Sequence, residues 1–378
     1  MKRKKKKNIP KIIIIFSLLI FLYFFCINDY NLKKNNLTTK KVPKGFSTFD
    51  TIIKIDKNKE LNKTTLTNNI SKIQFNEKIN EQYLYEQNYF CTHQKKFYNK
   101  EFEEKIKKTD VNILGKRFDM FIYEKSDYVS KWIKMSKSWE RAQTTELLKA
   151  LKYYSNKKNI SNHNIYILDI GANIGWYTIV FGKYGYNVIS FEPSKLNNYI
   201  IKKNYCLNKD INILIINKGL YTEERICDLY YSIYNKGNGM IICNEQNEKI
   251  SKFVFKNKSG EIVLTKLSNY IPFLSDKNLA LIKIDSEGTE GKIIESGIEL
   301  ITKYHVPFIF LEFTPKYLNF HGTNPKEFLQ LFINNGYHIN LFGFFSKKNI
   351  SVDILIDKLN KTKYVQMNLY IIHSNFTK

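Results

Sequence analysis

Residues 165–193 read IYILDIGANIGWYTIVFGKYGYNVISFEP, and the chain is organised around them. The stretch opens on Ile165-Tyr166-Ile167-Leu168, an apolar β-branched run too short for a helix, which reads as a strand buried on both faces. Asp169 to Gly175 is small and turn-prone, Trp176, Ile179 and Val180 begin an apolar helix, and Val188-Ile189-Ser190-Phe191 is a second strand ending in Glu192. Strand, glycine turn, helix, strand and acidic end make the first βαβ unit of a nucleotide-binding α/β sheet.

Gly171 and Gly175 give the turn its backbone freedom and let a ligand approach without a Cβ in the way. Glu192 stands about 20 residues on, where a carboxylate can accept from both hydroxyls of a ribose. The dinucleotide pattern G-x-G-x-x-G would need glycine in place of Asn173 and Trp176, which argues against a dehydrogenase. A turn that keeps Asp169 and fills its middle with Asn173 suits a nucleoside with a cationic amino-acid arm, such as S-adenosylmethionine.

A second strand-to-turn motif follows downstream, Leu281-Ile282-Lys283-Ile284-Asp285-Ser286-Glu287-Gly288-Thr289-Glu290. Together D-x-G-A-N-x-G, F-E-P with Asn197 close behind, and K-I-D-x-E-G-x-E resemble the FkbM-like methyltransferases, a family of S-adenosylmethionine-dependent enzymes. The resemblance runs from about Val111 to Tyr370. It implies a Rossmann-like class I methyltransferase fold, α/β, with a mostly parallel seven-stranded sheet, helices on both faces and an antiparallel final pair. It also implies O-methylation, commonly of sugars or polyketides. A Trp139-Glu140 pair fits the same family; Glu140 is read either as lying near the cofactor or as a carboxylate favoured at a helix start. The family usually has an acid just after Leu267, where this chain has Ser268, so that position receives no role.

These motifs nominate Asp169, Gly171, Asn173, Gly175, Glu192, Asn197 and Lys218 for the cofactor, Lys218 because the third strand (211–216) ends beside it, about where adenine edges are met. In the fourth strand Leu281, Lys283 and Asp285 share one face. A lysine in so apolar a strand needs a partner, and Asp285 or Glu287 is the expected one. The carboxyl ends of such strands form the ligand crevice. Asp285, Glu287 and His321, in the loop after the fifth strand, are therefore the candidate catalytic groups. No Cys-x-x-Cys or His-Cys cluster suggests zinc, and no metal is assigned. Asp285-Ser286-Glu287-Gly288 is not the Asn/Asp-Pro-Pro-aromatic signature of enzymes that methylate amino groups of nucleic-acid bases.

The 378 residues carry 60 Lys and Arg against 35 Asp and Glu, a formal +25. The lysines accompany heavy Asn and Ile usage throughout instead of forming a patch, so no nucleic-acid partner is inferred. Lys2 to Lys7 precedes the apolar run 12–27, which at about 1.5 Å per residue spans roughly 24 Å, near the thickness of a membrane core. Charge before the run holds the amino terminus in the cytoplasm, and no small-x-small cleavage site follows. The expectation is a single-pass type II signal anchor with its body on the lumenal side of the endoplasmic reticulum or Golgi; a cleaved signal peptide is the alternative. The division is then a basic tail (1–11), an anchor (12–27), a polar stem (28–108) and a methyltransferase domain (109–378). Residues 101–108 read as a charged helix within the stem. Sequons at Asn36, Asn62, Asn69, Asn159, Asn257, Asn349, Asn360 and Asn375 exceed the roughly four or five this composition gives by chance, as a secretory glycoprotein would.

Cys91, Cys206, Cys227 and Cys243 would face an oxidising lumen. Cys227 and Cys243 flank a hairpin with a glycine turn; a bridge and two buried thiols both fit that pattern. A lumenal enzyme of this kind would meet a glycan hydroxyl or another small polar acceptor. A membrane-anchored, non-catalytic binding protein on a methyltransferase-like fold is the rival reading.

Overall fold

The apolar runs become the middle of a seven-stranded sheet. The computed structural model describes residues 81–232, 235–243, 257–346, 350–361 and 366–377. The chain starts with a separate antiparallel hairpin, β1 (Ile106–Ile113) and β2 (Lys116–Tyr123). Leu114 and Gly115 turn it, with φ of 46° and 84°, as a two-residue hairpin turn requires. Two helices, α1 (Tyr128–Ser136) and α2 (Arg141–Lys158), lead into β3 (Ile165–Ile170), α3 (Trp176–Lys183), β4 (Asn187–Phe191), α4 (Lys195–Leu207) and β5 (Ile213–Ile216). After an insertion come β10 (Asn278–Ile284), α5 (Glu290–Ser296), β11 (Phe308–Phe313), α6 (Pro315–Phe320), α7 (Pro325–Asn334), β12 (Tyr337–Asn340), α8 (Val352–Lys361) and β13 (Met367–His373).

The strand order is β5-β4-β3-β10-β11-β13-β12. β3, β4, β5, β10 and β11 are parallel, while β13 runs against both its neighbours, so the sheet is mixed as the antiparallel final pair required. Period-two alternation sends Ile165, Ile167, Leu281 and Phe308 into the core under α2, α3 and α4. Leu168, Ile170, Ile282 and Ile309 enter the opposite core, under α5, α7 and α8. Both faces are covered, so the central strands β3, β4, β10 and β11 read as largely apolar runs. Asn324 caps α7 through Lys326 N and Glu327 N, with Pro325 in the first turn.

The insertion forms a second sheet that the sequence did not announce: β6 (Gly219–Leu220), β7 (Arg225–Ser232), β8 (Asn235–Ile242) and β9 (Asn257–Thr265), in the order β6-β9-β7-β8. The hairpin between the two cysteines is β7–β8, but Gly237 and Gly239 lie within β8 and do not form its turn as expected; Cys227 is bridged to Cys243. Ile262 to Thr265, just before Leu267, are the end of β9.

Packed structure begins earlier than composition suggested. Residues 81–92 are helical, and the Gln87 side chain donates to Ile213 O (2.8 Å) and accepts from Ile215 N (3.3 Å), pairing with the open edge of β5. Cys91 is bridged to Cys206 on α4. The expected charged helix over 101–108 is replaced by one turn at Lys100–Glu103, and β1 has begun by Ile106, whose side chain is buried. The apolar run 12–27 lies outside the described residues; among the described residues no helix is long and apolar enough to cross a membrane.

Candidate active site

β3 lies between β4 and β10, where the strand order reverses, and ligands of such sheets bind at the carboxyl ends of the strands there. A cleft of about 740 Å³, counting the part open to solvent, occupies that place.

The glycine turn forms its floor. Gly171 N and Ala172 N both donate to Phe191 O at the end of β4 (3.0 and 3.1 Å). Gly171 has φ +73°, and a Cβ there would fall 1.8 Å from Asp285 O, so glycine is required by conformation and by the approach of the next strand's end. Gly175 does not line the cleft; its φ of +86° and its contact with Ile201 seat α4 against the turn.

Glu192 forms one wall. Its Oε2 accepts from Asn173 N (2.8 Å), and its Oε1 from Ser194 N (2.9 Å) and Asn197 Nδ2 (3.3 Å). Burial pushes the carboxyl up to about 7, while the donors pull it the other way. Asn197 ties three elements together: it also donates to Gly237 O on β8 (3.2 Å) and accepts from Tyr123 OH at the end of β2 (2.6 Å). The second sheet closes the cleft with Leu229, Tyr231, Gly237, Gly239 and Ile241, and Lys218 stands on the same lining. Asp127, the cap of α1, accepts from Gly237 N (3.2 Å) and so fastens the hairpin over the site.

The other wall is acidic. Asp285, Ser286, Glu287 and Thr289 line it. Lys283 is buried behind, donating to Gly171 O (2.8 Å) and standing 3.5 Å from Asp169 and 3.6 Å from Asp285. Asp285 is thus one partner, as expected; the other is Asp169, not Glu287. Burial works to lower the Lys283 ammonium, but Asp285, Asp169, Glu140 and Glu312 outweigh it and hold it above its usual range. Asp169 is a buried support, accepting from Thr178 Oγ1 (2.6 Å), and does not line the cleft. Glu290 turns inward, its Oε1 accepting from Ser286 N and Gly288 N, and orders the 286–288 turn.

Two further acidic groups stand near this wall without lining the cleft. Glu140 does not cap α2 with its side chain; its carboxylate accepts from Tyr177 OH (2.6 Å), and burial, with Asp285 nearby, raises it. Glu312, near the end of β11, received no role from the sequence, yet oxygens of Asp285, Glu287 and Glu312 lie within 4.8 Å of one another. Its signal was a glutamate closing an otherwise unbroken apolar run. His321 does not join them. It is buried at the end of α6, away from the cleft lining, and burial together with Lys292 lowers it to about 4.

Residues 169–339 match the Methyltransferase FkbM domain, a span that holds the glycine turn, Glu192, Lys283 and Glu312. These residues carry a methyltransferase FkbM domain. S-adenosylmethionine is the cofactor of such a domain, and the cleft fits it: a cradle at Gly171 that a Cβ would fill, a carboxylate at ribose distance along the chain, and an Asn173 Oδ1 that is buried without a partner. No curated protein matches the chain. Among solved structures it is similar to the bifunctional kinase-methyltransferase WbdD (11% identity, TM-score 0.35, covering 67% of this chain and 44% of that one). It is also similar to the T. thermophilus 16S rRNA N2 G1207 methyltransferase RsmC (10%, 0.32, 71% and 50%) and to M. jannaschii TYW2 (13%, 0.30, 70% and 84%), both in complex with AdoMet. The chain spans less than half the length of WbdD.

Proposed function

We propose that the whole chain is an S-adenosylmethionine-dependent O-methyltransferase acting on a hydroxyl of a glycan or another small polar acceptor. The observation that carries this reading is the pairing of Glu192 and Asp285 across one glycine turn, on a single cleft. When bound, S-adenosylmethionine supplies an already activated methyl group on a sulfonium. Glu192 would accept from the ribose hydroxyls, Asn173 and Lys218 would help to hold the nucleoside, and the second sheet would keep water from the cofactor. Asp285, with 36% of its side chain exposed, is reachable from the cleft and takes the acceptor proton, while buried Lys283 fixes its position and charge. The two disulfides favour an oxidising compartment. With the basic cluster before residues 12–27, they support a single-pass type II protein whose body lies on the lumenal side.

Calorimetry with S-adenosylmethionine and transfer of labelled methyl to a glycan panel test the reading on one sample. Asp285→Asn should leave cofactor affinity nearly unchanged and slow transfer by about 10²–10⁴-fold. Binding without transfer to any acceptor would favour a non-catalytic binding protein, and release of the chain by carbonate extraction would remove the membrane anchor.

A further inference from the structure

Asp285, Glu287 and Glu312 crowd three carboxylates into one small volume, and Asp285 is within hydrogen-bonding reach of Glu312. Lys283 stands at Asp285, with its remaining contacts on Gly171 O and Asp169. The Lys283 ammonium bears on Glu312 as well, while Glu290 from α5 and the Tyr317 phenol from α6 bring it no positive charge. Like charges this close cannot all remain ionised, so either a proton or a cation must be shared among them.

We infer that Glu312 is a neutral acid that donates a hydrogen bond to Asp285, leaving Asp285 as the ionised carboxylate that faces the acceptor hydroxyl. The inference rests on the reading of Asp285 given under Proposed function and adds to it the group that sets the state of Asp285. One contact divides the roles within the pair, since the bond that Gln366 Nε2 donates to Glu312 Oε1 is accepted by a neutral carboxyl as well as by an ionised one. Asp285 has the ammonium beside it and therefore keeps the charge. Burial, with Asp285 and Glu287 next, holds the Glu312 carboxyl well above its usual range, in the same direction.

During transfer the acceptor oxygen forms its bond to the methyl carbon as the carbon–sulfur bond breaks, and sulfur keeps that electron pair. The hydroxyl proton passes to the Asp285 oxygen that Glu312 does not engage. Glu312 retains its own proton throughout. It is a positioning residue acting through Asp285, with no contact to the reacting atoms.

The test uses the full chain labelled with ¹³C at glutamate carboxyls, followed by NMR through a pH titration. One carboxyl, identified by its absence in Glu312→Gln, should stay protonated well above the ordinary carboxylate range. In Asp285→Asn its titration should move down by at least about one pH unit, because the neighbouring charge is gone. Thermal melts give a second readout. A carboxyl raised in the folded state loses stability for the fold as pH rises from the unfolded value through the folded one. Glu312→Gln should therefore gain in Tm relative to the unsubstituted chain as pH rises, and the two should converge in acid. Titration of Glu312 in the ordinary carboxylate range overturns the proposal. So does loss of the protonated signal on adding magnesium alone, which would make the cluster a cation site. Should Glu312→Gln fail to fold, the Asp285→Asn titration decides. Neither measurement needs an acceptor, and calorimetry with S-adenosylmethionine on the same sample reports separately on the methyltransferase reading.

Discussion

Glu192 is held by three protein donors and is still expected to accept from a ligand. A carboxylate offers about four lone-pair sites, so capacity remains for the ribose hydroxyls. Burial raises it to about 7, which ties cofactor binding to pH. Hydroxyl donors favour the ionised form, so S-adenosylmethionine affinity should hold above about pH 7 and weaken below it, by at most about tenfold per unit. Glu192→Gln removes that titration and replaces a charge-assisted bond worth about 1.5–3 kcal/mol, so affinity should drop about tenfold or more and become flat with pH. Calorimetry across that pH range checks both, and a wild-type curve with no acid limb removes Glu192 from the ribose site. Glu192 was legible because its spacing from the turn is local. The partnership of Lys283 with Asp169 was not, because strand register joins residues 114 apart in the chain.

At the scale of elements, strands buried on both faces announce themselves as apolar runs, and β3, β4, β10 and β11 were all readable in this way. The second sheet was not. β9 alternates, with Glu261 and Val263 exposed and Ile262 and Leu264 buried, and the long connection between β8 and β9 hides their common sheet. Yet its hairpin forms the roof of the cleft, and Gly237 is the contact point. A Cβ on Gly237 would lie 2.3 Å from Asp127 Oδ1 and 2.8 Å from Asn173 Oδ1. Neither neighbour yields freely, since Asp127 caps α1 through Ser130 N and Asn173 sits in the turn with φ 53°. Gly237→Ala should lift the hairpin, with an overpacking cost of about 1–3 kcal/mol in stability. Cofactor affinity should fall with it, while the seven-stranded sheet stays folded by circular dichroism. An unchanged binding isotherm would show that the roof does not touch the cofactor.

For the whole molecule, composition placed the start of the domain at residue 109, because Lys- and Asn-rich sequence looks solvated whether or not a few apolar residues dock. The structure ties 81–108 to the body at separate points. Phe90 is buried against Tyr199, Glu103 pairs with Lys203 (2.7 Å), Gln87 occupies the edge of β5, and Cys91 is bridged to Cys206 across 115 residues. An open strand edge templates pairing with other chains, so Gln87 and its helix also guard against aggregation. A fragment 109–378 would lose these contacts together, bare the β5 edge and leave Cys206 as a free thiol. It should aggregate or melt well below a fragment 81–378. Cys91→Ser in the longer fragment isolates the covalent contribution. In the chain-entropy model a loop of about 100 residues is worth about 4.7 kcal/mol, an upper figure, because the packed helix also lowers the cost of closure. Denaturant unfolding without reductant should show a loss approaching that size, and adding reductant should bring the unsubstituted fragment down toward Cys91→Ser. Coincident unfolding of 81–378 and 109–378 would mean that residues 81–108 only tether the domain and that its stability is set by the two cores alone.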